Sequence, residues 1–353
     1  MNIYSATLVI LSSLVLTLAS VSCEGVNPVV IVTWDYPEAT QKAWDVLSKE
    51  KRSALDAVEE GCALCERMQC RGTVGYGGQP DENGETTLDA LIMDGESMDV
   101  GAVGGLRNVK DAISVARKVM ENTRHSLLGG ELAADFACQM GFTKESLQTE
   151  KSKKMFDDWV QNRCQPNFWE ANVEPNPAES CGPYRQAQRQ QVETNIDRAE
   201  RQLPQGGEDQ HDTIGVVALD TRGRLVSGVS TNGQNHKIAG RIGDSAVTGA
   251  GAYADGEVGA AAATGDGDII MRFLPSYLAV ELMRLGSSPQ AATETAVRRM
   301  GRKYPRFRGA VIALNKHGEY GASCHGYENF PHYVSNVDSN GAKAMSTPCV
   351  KLS

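Results

Sequence analysis

The sequence predicts a mixed fold of strands and helices, α/β or α+β, and three observations carry that reading. Short Val/Ile-rich runs, as at residues 28–34 and 213–219, have the length and composition of fully buried strands. Longer stretches, as at 38–50 and 53–67, repeat their apolar residues at helical spacing. Strands flank helices on both sides of a long proline-rich interruption, which suits two stacked sheets covered by helices.

Taken in order, residues 28–34 form the first strand, and helices follow at 38–50 and 53–67, the second with Ser53 as its N-cap. Residues 87–93 make another strand. The stretch 108–122 places Val109, Ala112, Ile113, Ala116 and Val119 on one helical face, and further helices run near 131–140 and 146–160. From 161 to 212 the periodicity fails, through Pro166, Pro175, Pro177, Pro183 and Pro204 and several Gln-rich and charged runs. A long connection of this kind is functional or a variable insertion, and here it reads as a surface arm. The pattern restarts with strands at 213–219 and 224–229, separated by the turn signal Thr221-Arg222-Gly223. Helices are expected at 257–263, 275–285 and 289–303, then strands at 309–315 and 320–324.

The 353 residues suffice for one large domain or two small ones. The apolar run 7–21 is short for a membrane span and reads as the core of a signal peptide, residues 1–23, which directs the chain into the secretory pathway. Cysteine usage agrees with an oxidising compartment. Proximity and loop context pair Cys65 with Cys70, Cys164 with Cys181 and Cys324 with Cys349, although nearby cysteines offer other partners. Cys62 and Cys138, on apolar helix faces, read as buried free thiols. Cys62-x-x-Cys65 has no second pair, and Asp266 and Asp268 lack the other ligands of a calcium loop, so no metal is expected.

Net charge is −9, divided unevenly about Thr213: the residues before it carry −13 and the rest +4. Opposite signs favour two fragments staying together after a cut. No basic block or aromatic-interleaved stripe points to nucleic acid, and no phosphate loop or dinucleotide fingerprint points to a cofactor.

The chemistry centres on His211-Asp212-Thr213, which sets a small hydroxyl nucleophile at the first position of an apolar strand. A threonine hydroxyl in mid-chain has no base. A threonine that becomes a new N-terminus carries its own α-amine, which titrates near pH ~8 and can take the hydroxyl proton. Downstream stand Ser230-Thr231-Asn232-Gly233, Gly240-Arg241-Ile242-Gly243-Asp244-Ser245, Gly249-Ala250-Gly251-Ala252-Tyr253-Ala254-Asp255 and Gly259-Ala260-Ala261-Ala262-Ala263-Thr264-Gly265-Asp266-Gly267-Asp268. With Gly61-Cys62-Ala63-Leu64-Cys65-Glu66, Thr86-Thr87-Leu88-Asp89-Ala90 and Met98-Asp99-Val100-Gly101-Ala102-Val103, this set resembles the glycosylasparaginases (aspartylglucosaminidases), members of the N-terminal nucleophile hydrolases. The resemblance covers nearly everything after residue 25.

It implies an α+β fold, the four-layer αββα sandwich of that superfamily, built jointly by an alpha chain, 24–212, and a beta chain, 213–353. Thr213 is then the nucleophile, Thr231 the hydroxyl that orients it, and Thr264 with Gly265 the oxyanion hole. Arg241 and Asp244, with Ile242 and Gly243 between them, clamp the α-carboxylate and α-ammonium of an amino acid. Gly265, Asp266 and Gly267 line the substrate, and Trp34 packs near it. Asp212 serves self-cleavage, with His211 shaping the turn. The implied reaction releases an amino sugar from N4-(β-N-acetylglucosaminyl)-L-asparagine in a lysosomal or secreted enzyme, a dimer of cleaved heterodimers without metal or cofactor. The absence of any Asn-x-Ser/Thr sequon departs from the glycosylated family pattern. An isoaspartyl peptidase or L-asparaginase of the same superfamily, and a catalytically silent binding scaffold, stay open as other readings.

Overall fold

The computed structural model describes residues 26–187, 212–339 and 341–352. The expected signal peptide and residues 188–211 of the arm, His211 among them, lie outside the described residues.

The fold is α+β, as the resemblance implies. Its larger sheet has eight strands in the order β14-β13-β1-β7-β8-β2-β3-β4, and its smaller sheet four in the order β12-β11-β10-β9. At the centre of the larger sheet β1 (Val29–Thr33) runs antiparallel to β7 (Ile214–Leu219), which pairs with β8 (Leu225–Thr231). β8 then pairs with β2 (Leu88–Asp94), and β2 with β3 (Val100–Leu106). β13 (Asn329–Asn336) pairs with β1 on the other side and carries β14 (Lys343–Pro348) at one edge, while β4 (Leu127–Gly129) closes the other. The smaller sheet holds β9 (Ala252–Asp255), β10 (Gly259–Gly265), β11 (Gly309–Asn315) and β12 (Tyr320–His325).

Every residue of β1, β7 and β8 is buried, which suits the apolar runs of β1 and β7. One face of the larger sheet takes helices α1 (Pro37–Ser48), α2 (Ala54–Met68) and α3 (Ala112–Asn122), and the smaller sheet packs against β7 and β8. Ser53 caps α2 as expected: its hydroxyl accepts the Asp56 N–H while the Asp56 side chain accepts the Ser53 N–H. Helices α4 (Gly130–Gln139), α5 (Glu150–Gln161) and α6 (Gly267–Phe273) are peripheral. Helices α7 (Pro275–Arg284) and α8 (Pro289–Lys303) pack on the smaller sheet.

Residues 257–263, expected as a helix, form most of β10 instead. Alanine favours helices in isolation, but this run lies between two cores. Ala260 and Ala262 enter the core shared with the larger sheet, while Ala261 and Ala263 enter the one under α7 and α8. Period-2 alternation between two apolar layers is what a strand supplies, and small side chains let both layers close in. Cys62 is buried as expected, whereas Cys138 is exposed, on the outer side of α4. The three expected disulfides, Cys65–Cys70, Cys164–Cys181 and Cys324–Cys349, are all present. The first part of the arm is ordered by one of them. The Cys164–Cys181 loop contains β5 (Val173–Glu174), which pairs with β6 (Arg185–Gln186) just beyond Cys181, and Trp169 Nε1 donates to Glu82 Oε2 at 2.8 Å.

Candidate active site

The β7–β8 register opposes Ile214 and Ser230, and one residue further it brings Thr213 beside Thr231. The β1–β7 register stops at Val32 opposite Val216, and there the Thr33 side chain takes over from the backbone ladder. Thr33 Oγ1 donates to the Thr213 carbonyl at 2.8 Å and accepts the Gly215 N–H at 2.8 Å. Thr213 is thus fixed through its carbonyl by the end of the first strand.

The Thr213 N–H donates to Thr264 Oγ1 at 3.0 Å, and Trp34 Nε1 donates to the same oxygen at 2.7 Å. Two N–H groups on its acceptor side leave the Thr264 hydroxyl its own proton to donate. Trp34 leaves β1 with φ of 62° and is held edge-on by Tyr327 and Phe330, with centroids at 5.4 and 5.1 Å. The Thr213 nitrogen thus meets Thr264 rather than Thr231. Thr231 donates to the Thr73 carbonyl at 3.3 Å and accepts the Gly233 N–H at 3.0 Å, so it flanks the site.

Arg241 and Asp244 face one cleft, but not as a pair. Arg241 bonds Asp268 Oδ2 through Nη2 at 2.7 Å and Nε at 3.2 Å, and Asp244 Oδ2 is buried without a hydrogen-bond partner. Burial pushes the Asp244 carboxyl up to about 7, against the pull of the Arg241 charge. A buried carboxyl beside a guanidinium already engaged elsewhere suits an arriving ammonium. Gly267 makes the approach possible: a Cβ there would lie 2.4 Å from Asp244 Oδ1 and 3.0 Å from Arg241 Nη2. Gly265 has φ of +123°, and a Cβ would lie 2.4 Å from the Arg308 carbonyl oxygen.

Thr213, Thr231, Gly233, Gln234, Arg241, Asp244, Gly265 and Gly267 line this cleft, whose volume of about 10 Å³ is near the least that holds one water. Beyond Arg241 and Gln234 opens a second cavity of about 400 Å³, walled by Phe168, Trp169, Arg272 and Tyr304. Asp266, expected on the substrate, faces the larger cavity, where burial first and the Asp268 charge next raise its carboxyl to about 6. Of the other expected lining residues, Ile242 packs toward Gly104 of β3, and Gly243 donates its N–H to Asp89 Oδ2 at 2.9 Å. Asp212 is buried and pairs with Arg71 Nη1 at 2.8 Å.

Sequence reasoning gave no role to Asp89, Asp268, Gln234 or Arg71. Asp89 ties the clamp loop to β3, since its other oxygen accepts the Gly105 N–H at 2.7 Å. Its signal was available: a carboxylate within a fully buried strand must find donors. Among the described residues no group of three or more His, Cys, Asp or Glu could hold a metal ion, and no helix is long and apolar enough to cross a membrane.

The Thr213 nitrogen on the Thr264 hydroxyl, with Arg241 and Asp244 facing the same cleft, is the geometry of the site. A family profile described as asparaginase matches residues 14–342. A Drosophila persimilis protein named putative N(4)-(beta-N-acetylglucosaminyl)-L-asparaginase is 54% identical over 334 residues, 93% of this chain and 86% of its own length. The N(4)-(beta-N-acetylglucosaminyl)-L-asparaginases of Rattus norvegicus and Mus musculus are 52% and 50% identical, each over 92% of both chains. On this evidence the chain belongs to the asparaginase family of amidohydrolases.

Proposed function

We propose that the chain is a precursor that cuts itself between Asp212 and Thr213 and then hydrolyses N4-(β-N-acetylglucosaminyl)-L-asparagine. We read the packing of helices on two stacked sheets as the four-layer αββα sandwich of the N-terminal nucleophile hydrolases. The observation that carries the reading is the Thr213 nitrogen on the Thr264 hydroxyl, facing Arg241 and Asp244 across the cleft. After the cut that nitrogen is an α-amine, the base a threonine needs. The Thr213 hydroxyl attacks the side-chain amide carbonyl and its proton passes to the amine. The oxyanion forms opposite the Thr264 hydroxyl and Gly265, each such donor typically worth ~3 kcal/mol. The C–N bond breaks as the leaving amino sugar takes the proton. Water then hydrolyses the β-aspartyl ester and aspartate leaves.

Arg241 takes the α-carboxylate and Asp244 the α-ammonium, so an asparagine inside a peptide chain leaves both without partners, a costly mismatch. The names of the fly, rat and mouse relatives favour the glycosyl substrate over a β-aspartyl dipeptide or free asparagine. A lysosomal or secreted location, a signal peptide over 1–23 and pairing of cleaved heterodimers follow from the same reading.

Intact mass and N-terminal sequencing under denaturing conditions test the first half of the proposal. Two fragments, one beginning at Thr213, are expected, and a chain that stays whole through incubation overturns it. Rates on glycosylasparagine, asparagine and a β-aspartyl dipeptide test the second, where a faster dipeptide reaction would assign the chain to the isoaspartyl peptidases.

A further inference from the structure

Arg71 lies 141 residues before Asp212 in sequence, yet its Nη1 meets Asp212 Oδ2 at 2.8 Å. The contact does not rest on a free surface loop. Cys65–Cys70 ties the segment to the end of α2, and Gln69, Arg71 and Gly72 all turn through positive φ of 54, 50 and 75°. The Asn232 side chain holds the carbonyls of Gly72 and Gly75, at 3.2 and 2.9 Å, and its N–H donates to the Thr73 carbonyl at 2.8 Å. The segment is thus fastened to the end of β8, one residue beyond Thr231. Arg71 reaches inward from a side chain that is 42% exposed to a carboxylate that is 6% exposed. The phenols of Tyr36 and Tyr327 are raised by burial first and then by the Asp212 charge.

We infer that Arg71 is the positioning residue for chain cleavage, holding the Asp212 side chain beside the bond that breaks and balancing its charge. This rests on the cleavage reading above. In that step the Thr213 hydroxyl oxygen bonds the Asp212 carbonyl carbon, the C–N bond breaks, and the hydroxyl proton ends on the freed Thr213 amine. Water then hydrolyses the new ester, so Asp212 ends as a C-terminal carboxylate and the hydroxyl is restored. One water is consumed and nothing is oxidised. The intermediate puts a negative oxygen on a carbon three bonds from the Asp212 carboxyl carbon, a like-charge pair in a buried site. A guanidinium on that carboxylate offsets the repulsion and fixes the rotamer. Arg71 does not line the cleft where turnover occurs, so its effect is confined to maturation.

The test follows the appearance of the fragment beginning at Thr213 in wild type, R71M and R71Q, by denaturing electrophoresis with mass confirmation. R71M is expected to lengthen the half-time at least tenfold, with partial rescue by added guanidinium, which a purely structural defect would not show. Molecules of R71M that do become cut are expected to hydrolyse glycosylasparagine with wild-type kcat and KM. Cutting of R71M at the wild-type rate overturns the inference, and so does slow cutting accompanied by equally poor turnover per cut molecule. Where R71M loses its cooperative melt, R71Q decides: slow cutting supports the role and a wild-type rate refutes it. A wild-type chain that stays whole refutes the cleavage reading itself, a result distinct from either.

Discussion

Thr213 and Arg241 make separable demands on the chemistry. Thr213→Ala removes the attacking oxygen, so the chain is expected to stay whole on a denaturing gel and to release no amino sugar. Thr213→Ser keeps an oxygen and should retain slower cutting and turnover. On the proposed reading, Arg241→Ala removes a charge-assisted partner of the substrate carboxylate, an interaction of roughly 1.5–3 kcal/mol. Steady-state kinetics on cut enzyme should show kcat/KM for glycosylasparagine lowered by roughly 10- to 100-fold. The residues of this site were legible because the resemblance to a known family named them, and Thr213, Arg241, Asp244 and Gly265 all line one cleft. Their partners were not legible. That Thr264 rather than Thr231 meets the Thr213 nitrogen depends on how far the two sheets approach, a distance no local pattern encodes.

At the scale of elements, Glu66 joins three of them. From α2 its Oε1 accepts the Ser230 hydroxyl of β8 and the Ile113 N–H in the first turn of α3, the latter at 3.0 Å. Burial raises its carboxyl to about 7, the two hydrogen bonds working the other way. A raised folded-state value means that Glu66 supports the fold at acid pH, with that support lost as pH rises from its unfolded value near ~4.3 toward about 7. Glu66→Gln abolishes this titration. Thermal melts should therefore show the variant gaining on wild type between pH 5 and pH 8, by up to about 3 kcal/mol. At the end of β10, Gly265→Ala drives a Cβ into the Arg308 carbonyl and should cost about 3 kcal/mol in a melt and block cutting. The strand β10 was also the main element misread from sequence. Its alanines announce a helix locally, and only the presence of a core on each side, known after folding, makes them a strand. By contrast β1 and β7 were legible, because strands buried on both faces are apolar throughout.

For the whole molecule the order of the larger sheet decides how the cut chain behaves. From one edge it runs β14-β13-β1-β7-β8-β2-β3-β4, so strands from beyond Thr213 stand on both sides of β1 and against β2. The two products of a cut at Thr213 would therefore share three core ladders of backbone hydrogen bonds, β1–β13, β1–β7 and β2–β8, in addition to the complementary charge. Native size-exclusion chromatography is expected to elute them together even in 1 M salt, which screens the charges beyond ~3 Å. Separation on raising salt alone would mean that the charge, rather than the shared sheet, holds them.

The interleaving has a kinetic consequence. Before the cut, refolding is a unimolecular search by one tethered chain. Afterwards the same sheet can be rebuilt only by an encounter of two molecules, with β1 inserted between β13 and β7 of the other piece. Recovery from denaturant then depends on protein concentration in the mature form and not in the precursor. On the proposed reading, the working lifetime of the cut enzyme would be set by how slowly it opens rather than by how well it recovers.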